Sequence, residues 1–428
     1  MIQELKLRNF LSFRDEVTFS FEATKDTTGE AYQVVSIGHV RLLRFAVVYG
    51  ANASGKSNLL QAFKFLNKFW FSTAPGNDKP TGVVPFLLDS ATPGEPTEFS
   101  LKFFVDDVKY WYQLKLTSKT VLEEKLSVYN SVQPTILFKR GIEDGRSTLS
   151  FNSKAVSVSH AAQDLLSAKC LTNMSFFAAR QQVNVSMLQI DKASEWMRGS
   201  FLRMISPRTR MFEYATRMMQ SETSLKEYLL DFISKADFNI TGLRMDKVSE
   251  PIDAELMKFL IGQKEMSEEI RQRILNTRTV DTWETLFEHT VHNGRGVEKY
   301  TMQVEDQSDG TQRTLGIEAA VYTALKRQAF LMIDEIEASL HPSLVEFIID
   351  RFLGNAGSRS QMLVTSHYDP LLSATDDLLR KDSVWFTEKD ESGNSSLFSL
   401  VEFKGLNKLA SIQKAYRNGR FGALPNIN

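Results

Sequence analysis

The chain has a single cysteine, Cys170, so it can form no intramolecular disulfide and no multi-cysteine metal site. That usage suits a reducing compartment, and the thiol is expected to be a small buried hydrophobe. Charge of one sign is also missing: 51 Lys and Arg stand against 52 Asp and Glu, a net of −1. Without a basic excess, nothing global demands a nucleic acid or an anionic membrane, although local patches can bind either. No run approaches the roughly 18 consecutive apolar residues of a membrane span. The opening Met1–Phe10 alternates apolar and charged residues and has no secretory core. These absences predict a soluble, cytoplasmic protein without a membrane partner. Internal repeats and low-complexity tracts are absent as well.

Apolar material is plentiful: 42% of 428 residues are hydrophobic, enough for two or three folded units. Alternation predicts strands over Ile2–Arg8 and Glu16–Phe21, joined by Asn9-Phe-Leu-Ser-Phe-Arg14. Leu42–Tyr49 is apolar throughout except for Arg44, the pattern of a strand buried on both faces. A glycine loop follows it, then helical spacing over Asn58–Phe71. Five prolines between 72 and 98 mark an irregular connection. Phe99–Leu116, Val121–Tyr129 and Ser147–Phe151 alternate as an antiparallel β lobe. Helical patterns dominate from Ser159 to Asn276, and the charged stretch Ile252–Arg278 is too short for a long heptad arm. An α/β pattern returns after Thr301: helix Thr311–Lys326, strand Ala329–Ile333, helix Ser343–Phe352 and strand Gln361–Thr365.

Gly50-Ala-Asn-Ala-Ser-Gly55-Lys56-Ser57 satisfies the P-loop pattern completely and lies between a buried strand and a helix. Backbone amides around Gly50, Asn52, Ser54 and Gly55, with Asn58 at the helix start, can wrap phosphates. Lys56 is expected to reach the β and γ oxygens of ATP, and Ser57 to present its hydroxyl to Mg²⁺. Such a site also needs a carboxylate for the metal and a group that orients the attacking water. Phe330-Leu-Met-Ile-Asp334-Glu335 ends an apolar strand in two acids, where parallel sheets bind ligands. Asp334 is the candidate metal ligand beside Ser57, and Glu335 the candidate base. Lys56 and Asp334 are 278 residues apart (334 − 56), so two distant segments must close one sheet around long insertions.

Further motifs stand in a telling order. Ser308-Asp309-Gly310-Thr311-Gln312 resembles the ABC-type signature with Asp309 in place of its first glycine. Ala338-Ser-Leu-His-Pro342 resembles a D-loop, and Thr365-Ser-His367 a switch histidine. With Val83–Leu88, Pro96–Phe99 and Arg420–Ala423, these phrases make the chain resemble the ABC-type ATPases of the SMC and OLD group. The resemblance is nearest to stand-alone AAA-family ATPases of bacterial defence loci, of the RloA and PARIS AriA type. It thins between about 190 and 300.

The resemblance implies an α/β fold: a two-lobed ABC-type ATPase head with an antiparallel β lobe and a helical insertion. The expected divisions are 1–75 with the P-loop, 76–158 as the β subdomain, 159–300 as the helical insertion, and 301–428 with signature, acids and switch histidine. It further implies Mg²⁺-dependent ATP hydrolysis with Lys56, Glu335 and His367 as catalytic residues, and Gln182 as a nucleotide contact. Ser308, Asp309, Gly310 and Thr311 would act in trans, hence a homodimer or higher homo-oligomer. Where relatives often carry arginine in the first turn, this chain has Leu11.

Two functions are in competition. One is the sensor or regulatory subunit of an anti-phage, abortive-infection type defence system that controls a separately encoded effector, such as a Toprim-type nuclease. The other is an ATP-gated DNA clamp of repair or chromosome maintenance. An arginine-rich strip between Met197 and Met219 keeps DNA open as a partner. His289 and His292 lack the companions of a metal site. After His367 there remain 61 residues (428 − 367), too few for an appended nuclease domain. The acids Glu388 and Asp390 there suit a hairpin turn.

Overall fold

The computed structural model describes residues 1–236, 239–262, 268–375 and 377–424. The chain divides into two compact units, Met1–Thr209 with Thr323–Asn428, and Arg210–Tyr322.

The first unit is α/β and is organised around two sheets. The smaller has five strands in the order Phe330–Ile333, Gln361–Thr365, Phe45–Gly50, Val384–Lys389, Ser395–Ser399. The first four run parallel and the last returns antiparallel. Every residue of Phe45–Gly50 is buried, which explains its unbroken apolar character. The apolar run from Leu42 is nevertheless two strands, because Arg44 separates Val40–Leu43 from Phe45–Gly50. The buried guanidinium of Arg44 donates to the carbonyls of Tyr32, Phe352 and Leu353. The last two end the helix Pro342–Leu353, so Arg44 satisfies carbonyls that a helix terminus leaves without partners.

The larger sheet is antiparallel, in the order Arg146–Phe151, Thr135–Glu143, Val121–Tyr129, Val108–Leu116, Thr97–Val105, Ile2–Arg8, Val17–Ser20. The segment 76–158 is therefore not a self-contained β subdomain: two N-terminal strands complete its sheet. The side-chain amide of Gln361 donates to the carbonyls of Ile2 and Leu43, which ties the first strand to the parallel sheet.

The helix Lys56–Phe71 buries Leu59, Leu60, Phe63, Leu66 and Trp70. Its Phe63 ring lies 6.2 Å from Phe19 and 5.0 Å from Phe330, one residue from each sheet. That apolar face secures the P-loop at the helix start, since burying such side chains stabilises by about 1.5–3 kcal/mol each. The helices His160–Lys169, Phe176–Arg180 and Leu188–Gly199 also belong here, because Leu166, Phe176, Phe177, Ile190 and Met197 enter the same core. They fall within 159–300, the range expected for the helical insertion. A fully buried pair, Glu124 and Arg140, anchors them: Glu124 accepts from Tyr112, Ser175, the Phe176 amide and Arg140. Cys170 is buried nearby, and burial pushes its thiol up to about 11.

The second unit is mixed, not helical throughout. Within the stretch expected to be helical lies the strand Ile240–Pro251, which pairs antiparallel with Thr279–Asn293 and through it with Gly296–Gln303. Helices Met211–Ser221 and Thr223–Lys235 precede this sheet, and Ala254–Ile261 and Glu268–Thr277 interrupt it. Leu225, Leu229, Phe232, Ile233, Leu243 and Phe287 are buried. The insertion is thus Arg210–Tyr322 and not 159–300.

Candidate nucleotide-binding and hydrolysis site

The carboxyl ends of the parallel strands converge on Gly50, Asp334, Thr365 and Thr387, where an open α/β sheet binds ligands. The loop from Gly50 to Ser57 needs unusual backbone. Gly55 has φ 116°, and a Cβ there would lie 2.6 Å from Ser395 Oγ and 3.0 Å from Ser12 Oγ. Only glycine satisfies both demands. The loop is braced from behind: Ser54 Oγ lies 2.6 Å from Thr387 Oγ1, and Ser12 Oγ accepts from Asn58 Nδ2 at 2.7 Å and from Ser395 Oγ at 2.8 Å. Asn58 therefore supports the loop from its outer side. Asn52 is exposed at the loop tip.

Lys56 is almost fully buried, and its ammonium donates to the carbonyls of Gly50 at 2.8 Å and Ala51 at 3.0 Å. Burial lowers its pKa to about 8, opposed by the charges of Glu335, Asp334 and Glu337. Both carbonyls belong to the loop itself, so the side chain lies along the inner wall of the P-loop.

Ser57 Oγ donates to Asp334 Oδ1 at 2.9 Å, and Thr365 Oγ1 donates to the same oxygen at 2.7 Å. Sequence-distant segments thus meet as the P-loop pattern requires. A hydroxyl and a carboxylate are hard oxygen donors of the kind that suit Mg²⁺. Glu335 follows with φ 49°, a left-handed backbone that only the surrounding turn can hold. His367 Nε2 lies 4.0 Å from Glu335 Oε1. Burial first, then the charge of Lys56, lowers the pKa of His367, which keeps the imidazole neutral near pH 7. Glu335 and His367 therefore both interact with the charge of the same lysine.

Two other residues lie apart from the P-loop's own contacts. Gln182 is exposed beyond the helix Phe176–Arg180, and among the described residues no hydrogen bond joins its side chain to the P-loop. The parallel sheet is extended beyond Phe330–Ile333 by 200–205, where Phe201 and Ile205 bridge to Phe330 and Ile333. The amide of Asp334 donates to the Ile205 carbonyl at 2.8 Å. Leu11 has φ 51°, and its amide donates to the Val84 carbonyl, a backbone role that fixes the turn beside Ser12.

In the second unit, Ser308 caps the helix Asp309–Arg327: its Oγ accepts from the Thr311 amide at 3.1 Å and lies 2.9 Å from Thr311 Oγ1. Ser308 and Asp309 are exposed, Gly310 is half-buried and Thr311 is buried. His341 caps the helix Pro342–Leu353 by accepting from the Ser343 amide. His289 meets Gln307, and no metal-binding cluster of three acids, histidines or cysteines occurs among the described residues. Asp390 accepts from Ser392 Oγ and the Asn394 amide, and Glu388 packs against the backbone at Gly422 and Ala423.

Residues 45–161 and 190–374 match the family described as "AAA domain, putative AbiEii toxin, Type IV TA system". The chain belongs to this AAA family. It is accordingly an ATPase of AAA type, with the P-loop and both acids inside the matched segments. No curated protein matches the sequence. Among solved structures the chain is similar to the SMC head domain from Thermotoga maritima, at 14% identity, covering 93% of this chain and 98% of that one, TM-score 0.39. An SmcHead bound to the C-winged helix domain of ScpA gives 14% identity, 97% and 99% coverage and TM-score 0.41. An Smc head domain with an extended coiled coil, bound to the C-terminal domain of ScpA derived from Pyrococcus furiosus, gives 12%, 98% and 98%, and 0.37. Among the described residues no helix is long and apolar enough to cross a membrane.

Proposed function

We propose that the chain hydrolyses ATP at this site as the cytoplasmic sensor or regulatory subunit of a defence system of the RloA and AriA type. The observation that supports hydrolysis is the meeting of Ser57, Asp334 and Thr365 on one carboxylate oxygen, with Glu335 and His367 beside it. Ser57 and Asp334 would hold Mg²⁺, which supplies charge neutralisation at the phosphate oxygens. Lys56 binds the β and γ oxygens, Glu335 accepts a proton from the attacking water, and neutral His367 donates from its ring to the γ-phosphate. The family description, which names a toxin and a toxin–antitoxin system, supports the defence role over the DNA clamp.

Ser308 and Gly310 close over the nucleotide of a second copy, so ATP binding drives homodimer or higher homo-oligomer formation. Any DNA cleavage resides in a separately encoded effector. The experiment is mass measurement of Glu335→Gln with ATP. A glutamine keeps the contact but cannot take the proton, so a nucleotide-bound oligomer should accumulate and Ser308→Arg should prevent it. A monomer in both, with wild-type turnover in the first, would refute the closure reading.

A further inference from the structure

We propose that Thr365 and Glu337 are positioning residues that lace the acidic turn to the histidine segment and thereby fix Glu335 and His367 relative to Asp334. The inference rests on the ATPase reading of the site and goes beyond it to two residues that this reading gives no role.

Four hydrogen bonds join the two segments. Thr365 Oγ1 donates to Asp334 Oδ1 at 2.7 Å and accepts from the Glu335 amide at 2.8 Å. The Ile336 amide donates to the Thr365 carbonyl at 3.1 Å, and the His367 amide donates to Glu337 Oε1. Thr365 is wholly buried at the end of a strand that otherwise reads Gln-Met-Leu-Val. Valine has the same shape and would suit that position in a parallel sheet better, because a buried hydroxyl costs free energy unless it is bonded. Here the hydroxyl is bonded on both sides, to the side chain of one acid and the backbone of the next. The left-handed turn at Glu335 is held from the neighbouring strand.

Glu337 carries the other end. Its Oε1 receives the His367 amide, while Oε2 is buried with no hydrogen-bond partner. A carboxylate half satisfied in this way is a poor stability device, since an uncompensated buried oxygen is destabilising. Its place, three residues after Asp334 in the same turn, is explained by what it holds: the backbone of His367. A movement of His367 must pull on the turn that carries Glu335, and the reverse.

The test compares Thr365→Val with Thr365→Ser, and Glu337→Ala with Glu337→Gln, in the full chain. Two quantities are read: ATP turnover, and the gain in affinity for a fluorescent ATP analogue on adding Mg²⁺. Thr365→Val should lower kcat by about 10–100-fold with little change in KM, the range expected when a supporting partner is lost. It should also shrink the Mg²⁺ gain, because Asp334 loses one of its two hydroxyl donors, and Thr365→Ser should restore both. Glu337→Gln should retain more turnover than Glu337→Ala, since its amide oxygen still accepts from His367. If Thr365→Val does not fold, the Glu337 pair decides by the same ordering. Absence of Lys56-dependent turnover in the wild type would sink the ATPase reading, while the Mg²⁺ gain would still judge the lacing. Thr365→Val equal to wild type in both readouts, or Thr365→Ser as impaired as valine, would overturn the proposal.

Discussion

The hydroxyl of Ser57 donates to the carboxylate of Asp334 across 2.9 Å, although 277 residues separate them. That bond closes the site. It also explains why the two motifs carry little meaning singly and much together.

Gly55→Ala is expected to damage the loop twice. The added Cβ would stand 2.6 Å from Ser395 Oγ and 2.9 Å from Ser395 Cβ, at a φ of 116° that alanine rarely adopts. Backbone strain of this kind costs about 1–3 kcal/mol. Urea unfolding should show a lower midpoint, and a fluorescent ATP analogue should bind more weakly.

Lys56 makes nucleotide binding depend on pH. Its pKa in the free protein is lowered to about 8 by burial, whereas a bound polyphosphate favours the charged form. Below about 8 the charge is already present. Above it, binding must take up a proton, so affinity should fall as pH rises through that value. Calorimetry at pH 8.5 in two buffers of different ionisation enthalpy should report proton uptake. For the nucleotide-free protein the sign is opposite: between about 8 and 10.5 the unfolded chain holds more protons at this lysine than the folded one. The lysine's burial penalty therefore fades as pH rises through that window.

The Glu124–Arg140 pair, both fully buried, should be costly to break from one side only. Arg140→Met leaves a buried carboxylate without its cation, a loss of about 3–5 kcal/mol by analogy with other buried pairs. Arg140 also donates to Ser147 and to the carbonyls of Met174 and Leu171, so the segment before Phe176 should loosen. A double-mutant cycle with Glu124→Gln should show strong coupling, and hydrogen exchange should rise over 171–177.

The site was legible in the sequence wherever its chemistry is written in contiguous residues. Gly50–Ser57, Asp334–Glu335 and Thr365–His367 each combine a strand end with a polar motif, and local pattern suffices for that. What escaped depends on pairing at a distance. Ile240–Pro251 mixes charges with apolar residues and resembles a solvated helix until Thr279–Asn293 supplies its ladder. The edge formed by 200–205 is too short to alternate, and only Phe330–Ile333 beside it gives it a register. Arg44 looked like an interruption and proved to be the cap of a helix about 300 residues later in the chain.

The most direct measurement of the central claim is steady-state phosphate release by the purified chain with Mg²⁺ and ATP, beside folded Lys56→Ala. The account predicts turnover in the wild type and its loss in the variant, along with most nucleotide affinity, because the ammonium that faces the β and γ phosphates is gone. Equal turnover in the two proteins, or none in a wild type that binds ATP with Mg²⁺, would contradict it.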